Sequence, residues 1–206
     1  MAAHASALVV VSAGHPVTLA VPRHLSMAEL ESSLDTIRQS PQDHGVLELI
    51  VRRPRIGARD VLEEGELDPV VGLVGDTWSK RSSRRSADGG PHPEMQLNIM
   101  NARVVALVAQ DKTRWPLAGD QLFVDMDLSE ANLPAGTRLQ IGTSVIEVTA
   151  EPHTGCGKFV ERFGVDAMNF VNSIERKDLH LRGINAKVVQ RGTIRVGDRL
   201  TKLPGA

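Results

Sequence analysis

The sequence predicts a mainly β fold, a barrel or sandwich with a few helices at its periphery. Three observations carry that expectation. Short runs of alternating, β-branched residues recur along the chain, separated by turns that contain glycine. Aromatic residues make up only 3% and tyrosine is absent, so the core is built from Val, Leu, Ile and Ala. The 206 residues suffice for one domain with a sizeable core, at roughly 100–200 residues per domain.

The elements follow in order. Residues 7–21, ALVVVSAGHPVTLAV, read as two short strands around a Gly14–Pro16 turn. SMAELESSLDTIRQSP reads as a helix that covers the core. Ser26 and Glu29 have the capping-box spacing, Met27, Leu30, Leu34 and Ile37 share one face, and Pro41 stops it. GVLELIVRRPR, from Gly45, is a strand, and QLNIMNARVVALVAQ (96–110) is another. TRLQIGTSVIEVTAE (137–151) reads as a hairpin turning at Gly142–Thr143. INAKVVQ (184–190) and DRLTKL (198–203) complete the strands. GTRLQIG and GTIRVG are alike but too short to be a structural repeat. KFVERFGVDAMNFVNSIERKD has helical spacing, and Gly164 costs about 1 kcal/mol against Ala, which predicts a break or two short helices. The expected organisation is one structural unit, with residues 1–44 packing on a barrel formed by 45–203.

Charge and cysteine usage exclude several function classes. Lys plus Arg is 24 and Asp plus Glu is 25, so nothing points to nucleic acid or an anionic membrane as a bulk partner. One cysteine excludes an internal disulfide and any multi-cysteine zinc site, and suits a reducing cytosol. The N-terminal apolar run has no Lys or Arg before it, unlike a signal peptide, and no stretch approaches the ~20 apolar residues of a membrane span. A cytoplasmic protein is expected. No P-loop, dinucleotide fingerprint or G-x-S-x-G is present. SKRSSRRSADGGPHP (79–93) reads as a solvated loop, or as an anion clamp if Lys80, Arg81, Arg84 and Arg85 converge. In GDQLFVDMDLSEANLP the alternation of Leu122, Val124, Met126 and Leu128 says strand, with Asp120, Asp125, Asp127 and Glu130 on its outer face.

The single cysteine, Cys156, stands in EPHTGCGKFVERFG. Free cysteines are often buried. Here Pro152 ends a strand, Gly155 and Gly157 permit positive φ and close approach, and a helix begins whose N-terminus favours a thiolate. His153 is near enough to polarise the thiol if the turn folds back. Catalysis through Cys156 needs a base and an orienting group; His153 is a poor candidate for that base, since such partners usually come from elsewhere in the fold, which leaves His92 and His180 with no further support in the sequence. An H-x-x-C pair alone is short of the four ligands usual for zinc.

These pieces, in order, resemble the MOSC domain, named for the C-terminal domain of molybdenum cofactor sulfurases. RWPLAGDQLFVDMDLSEANLPAGTRLQIGTSVIEVTAEPHTGC is similar to the family's run from a "GD" segment through an "l-x-x-G-x-x-l-x-i-G" hairpin to its cysteine. LRGINAKVVQRGTIRVGDRL resembles its closing strands, and GELDPVVGLVGDTW its "GlxGD" element. The resemblance covers roughly residues 45–203. The family's HGG tripeptide is absent from GGPHPEMQLNIM, and Gly155 and Gly157 replace the bulky residues that often flank the cysteine.

The resemblance implies a MOSC-type β-barrel in which Cys156 is the catalytic thiol. It would carry sulfur, or ligate molybdenum in a molybdenum cofactor (molybdopterin). His153, Thr154, Asn98, Asn101 and Arg182 are the expected cofactor-binding residues. Two active forms follow. One is a molybdenum-dependent oxidoreductase reducing small N-hydroxylated compounds with an electron-donor protein. The other is a sulfur carrier served by a separate PLP-dependent cysteine desulfurase, since a PLP domain does not fit beside the barrel in this length. The alternative is a non-enzymatic binding module of the same fold with a structural cysteine.

Overall fold

The computed structural model describes residues 23–83, 86 and 88–204. The strand pair expected over 7–21, and Arg84 and Arg85 of the basic loop, lie outside the described residues. The elements are α1 (Met27–Ser32), α2 (Leu34–Arg38), β1 (Gly45–Arg52), β2 (Asp60–Leu62), β3 (Glu64–Asp68), β4 (Gly72–Leu73), β5 (Leu97–Asn101), α3 (Ala102–Ala109), β6 (Leu122–Asp125), β7 (Arg138–Ile141), β8 (Ser144–Val148), α4 (Gly157–Phe163), α5 (Val165–Val171), β9 (Ile184–Gln190), β10 (Gly192–Arg195) and β11 (Arg199–Lys202). The fold is mainly β, as the alternation predicts.

Seven strands close into a barrel in the order β11–β7–β8–β9–β5–β6–β1, with β1 returning to β11 through Gly45–Leu200 and Val46–Arg199. β2 hangs on the free side of β1, and β10, β3 and β4 form a small second sheet. Every ring pairing is antiparallel except β5–β6, which is parallel. A parallel pair needs a crossover. Here α3 and a 3₁₀ segment over Lys112–Ala118 supply it.

Side chains alternate between two cores. Leu47, Ile50, Ile99, Leu122, Val124, Ile146, Ile184 and Leu200 fill the barrel with aliphatic groups. Their neighbours Leu49, Val51, Met100 and Phe123 point outward into a second cluster with Trp115, Phe159, Phe163 and Phe170. All the phenylalanines of the chain therefore lie outside the barrel, between it and the helices. A register shift between Leu47 and Leu49 lets β1 serve both cores.

The structure corrects two element boundaries and the placement of one side chain. The 26–41 helix keeps its reciprocal Ser26–Glu29 capping box but breaks at Ser33 into α1 and α2. The 96–110 segment is a strand only to Asn101, where the side chain accepts from the backbone N–H of Arg103 (2.8 Å) and Val104 (3.2 Å) and starts α3. Capping outweighs the β-branched composition of VVALV there. Asp120 is fully buried, not on the outer face of its strand. The break at Gly164 falls where expected: its φ of 93° separates α4 from α5. Among the described residues no helix is long and apolar enough to cross a membrane.

The Asn101 amide also donates to Ser40 Oγ (2.8 Å) and to the Met126 carbonyl (2.7 Å), tying α3 to β6 and to the end of α2. Asn101→Ala removes a helix cap and leaves a buried carbonyl without its donor. It is expected to lower stability by about 2 kcal/mol, measured by chemical denaturation.

Candidate functional site

The site is built around the carbonyl end of the 3₁₀ segment at Lys112–Ala118. Such an end leaves carbonyls without intrahelical donors. Four arginines from different parts of the chain meet four consecutive oxygens. Arg59 Nε donates to Pro116 O (3.2 Å), Arg162 Nη1 to Leu117 O, Arg182 Nη2 to Ala118 O (3.0 Å) and Arg53 Nη1 to Gly119 O (2.9 Å). Arg53 is neutralised by Asp76 through paired contacts of 2.8 Å, and the Asp76 carboxylate also accepts from Trp78 N.

Asp120 follows directly and is fully buried. Both of its oxygens accept from Arg182 Nη1 at 2.9 Å, and His153 Nε2 lies 2.6 Å from Oδ1. Burial alone would raise the Asp120 carboxyl, but Arg182 and His153 hold it well below the usual carboxylate range. Burial, reinforced by Arg182, pushes His153 down, with Asp120 opposing. His153 is therefore neutral near pH 7. An ionised carboxylate only accepts, so Nε2 carries the proton and donates to Asp120, leaving Nδ1 as a proton acceptor.

His153 and Arg182 line a cavity of about 380 Å³, together with Thr154, Lys177, His180 and Asn185; Leu133 and Val148 form part of its apolar wall. Arg182 is 6% exposed, stacks over the Phe159 ring at 5.2 Å, and has a buried Nε with no hydrogen-bond partner.

Of the residues singled out in the sequence, the structure brings His153, Thr154 and Arg182 together at this cavity. Asn98 stands behind it: its carbonyl oxygen accepts from Arg53 (3.1 Å) and its amide donates to Asn185 (2.6 Å), which does line the cavity. Asn101 sits apart, at a smaller cavity of about 70 Å³ beside α2 and α3. Cys156 is exposed, caps the N-terminus of α4 and does not line the larger cavity, although it shares a loop with Thr154. Gly155 serves by close approach, since a Cβ there would meet Met168 Sδ at 2.5 Å; neither it nor Gly157 has a positive φ. His180 Nδ1 is held by Leu128 O (2.8 Å), and His92 faces Glu151 at 3.7 Å. Sequence reasoning missed the inward role of Asp120. The signal was the strand alternation itself, since the period that places Leu122 and Val124 inside places residue 120 inside too. Among the described residues, no group of His, Cys, Asp and Glu side chains could hold a metal ion.

A protein-family model described as the MOSC domain matches residues 91–201. Three crystal structures share the fold. The YUAD protein from Bacillus subtilis is 18% identical with a TM-score of 0.56, covering 76% of this chain and 93% of that one. YiiM from Escherichia coli is 17% identical (TM-score 0.50; 78% and 71% covered), and YiiM from Geobacillus stearothermophilus 12% identical (0.51; 78% and 75%). No curated protein matches the chain.

Two outcomes follow. Asp120→Asn leaves the buried Arg182 charge uncompensated and should destabilise the fold by roughly 3–5 kcal/mol in a denaturant titration. His153 has a depressed folded pKa, so its contribution is present above the unfolded value near 6.5 and is lost as pH falls below it. Stability measured from pH 7 to 5 should therefore decline, and His153→Gln should flatten that decline.

Proposed function

The chain belongs to the MOSC domain family, and from that premise we propose that it binds molybdenum cofactor in the His153–Arg182 cavity. The Cys156 thiol then serves as a soft metal ligand or as a sulfur carrier. The observation that carries the reading is a cavity lined by His153, Thr154, Lys177 and Arg182 whose loop also bears the exposed cysteine.

The residues fit such a group. A volume of about 380 Å³ is within the roughly 300–1,000 Å³ of small-molecule clefts. Lys177 suits a phosphate at a wall that also carries Glu130, Glu151 and Asp178, while Thr154 and Asn185 offer hydrogen bonds to a polar ring. A thiolate is a soft ligand for a soft metal centre. When bound, the cofactor supplies a molybdenum centre that changes oxidation state as an N–O bond of an N-hydroxylated compound is reduced, with electrons from a donor protein.

The chain's own residues bind, orient and move protons. Lys177 holds the anionic end of the ligand, and Arg182, fixed by Asp120 and Ala118 O, shapes the wall beside it. Asn98 orients the Asn185 amide. His153 accepts a proton at Nδ1, with Asp120 steadying the imidazolium that results. In the carrier form, the Cys156 thiolate takes the outer sulfur of a persulfide on a PLP-dependent cysteine desulfurase, becomes a persulfide itself and releases the desulfurase thiolate. The cytoplasm, a reducing compartment, keeps that thiol free. A non-enzymatic binding module is the second reading, favoured by the position of Cys156 outside the cavity lining.

Metal analysis of protein from a cofactor-producing host tests these readings. Stoichiometric molybdenum, lost in Cys156→Ser, is the result expected for the oxidoreductase. A Cys156 persulfide after incubation with a desulfurase and cysteine, without metal, is expected for the carrier. Absence of both leaves the binding module.

A further inference from the structure

The arginines at the 3₁₀ segment carry more charge than its carbonyl end requires. A helix C-terminus presents about half an elementary negative charge. Arg53 and Arg182 are already neutralised by Asp76 and Asp120. Arg59 and Arg162 bind the neighbouring carbonyls of Pro116 and Leu117, and no carboxylate among the described residues pairs with either. Arg81 joins them through the same framework. Its Nε and Nη2 rest on Thr77 Oγ1, and Thr77 N donates to Arg53 O. Arg114, whose buried Nε has no partner, donates Nη2 to Arg162 O at 2.8 Å.

These guanidiniums are held by backbone and hydroxyl oxygens rather than by carboxylates, so they stay positive and keep donors free. Arg59 uses Nε and Nη1, leaving Nη2. Among the described residues, Arg162 uses Nη1, leaving Nε and Nη2, and Arg81 keeps Nη1. Burial, then the charges of Arg162, Arg53 and Arg81, push the Arg59 guanidinium down, with Asp76 opposing.

We infer that Arg59, Arg81 and Arg162 form an anion site, separate from the His153–Arg182 cavity, for the phosphoryl or pyrophosphoryl group of a small molecule. None of the three lines that cavity. Fixed guanidinium forks present several donors to oxygens in one plane, which suits phosphate oxygens better than a single halide. The site uses one residue of the basic loop, Arg81, with two partners far from it in sequence.

Inorganic pyrophosphate titrated into the full chain at low ionic strength, read by calorimetry, tests the assignment. Saturable binding is expected, weakened roughly tenfold or more by Arg59→Gln and by Arg81→Gln, because each loses a charge-assisted hydrogen bond. Arg81 is exposed and, among the described residues, its side chain bonds to Thr77, so Arg81→Gln remains informative if Arg59→Gln does not fold. Lys177→Ala, in the cavity wall, should leave the component of pyrophosphate binding that depends on Arg59 and Arg81 unchanged. The assignment is overturned if millimolar pyrophosphate does not bind, if folded Gln variants bind like the parent, or if Lys177→Ala abolishes binding. None of these readouts depends on cofactor loading, so they stand or fall apart from the proposed function.

Discussion

Four consecutive backbone carbonyls, Pro116 to Gly119, end a 3₁₀ segment inside the protein, and much of the site follows from the need to satisfy them. Gly119 N donates to the first of them, and side chains from four distant parts of the chain donate to all four. The donors are guanidiniums, and each brings a charge that needs its own answer. Arg53 is met by Asp76 and Arg182 by Asp120. Asp120 then fixes the tautomer of His153. A backbone constraint at one turn thus sets which ring nitrogen of a cavity-wall histidine carries the proton.

The barrel makes this possible because its strands deliver polar residues to one end while their alternate positions stay aliphatic. β5 ends at Asn101 and starts a helix; β6 begins two residues after Asp120. The parallel β5–β6 pair requires a crossover, and the crossover carries the carbonyl end that the arginines bind. Asn98 and Gln121 link the two strands through the Asn98 backbone N–H, which donates to Gln121 Oε1 at 2.9 Å. Asn98 also connects Arg53 with Asn185, so the floor of the cavity and the arginine cluster share one hydrogen-bonded network.

The strands were legible because period-2 alternation is a local signal. β1, the β7–β8 hairpin, β9 and β11 lie close to where alternation and glycine turns place them. The 96–110 segment misled for a physical reason: VVALV has strand composition, but one capping Asn redirected it into α3. Ser33 broke a helix whose apolar face was nevertheless read correctly, with Leu30 and Ile37 buried. The site was only partly legible. His153, Thr154 and Arg182 were singled out and do meet, whereas the partnership of Asp120 with Arg182 spans 62 residues and leaves no local trace. The arginine cluster is likewise a product of topology: Arg59, Arg81 and Arg162 share no motif.

The ring is closed by its narrowest seam, where β1 meets β11 through only Gly45–Leu200 and Val46–Arg199. That seam joins the earliest barrel strand to the last. Until β11 pairs with β1, therefore, the sheet is an open, curling ribbon. During that interval the free edges of β1 and β7 offer unpaired N–H and C=O groups to any neighbouring chain. Arg182 is also among the late residues, so Asp120 is made long before the cation that lets it stay charged in the interior. The strands and loops that follow β8 thus both seal the barrel and neutralise its buried carboxylate.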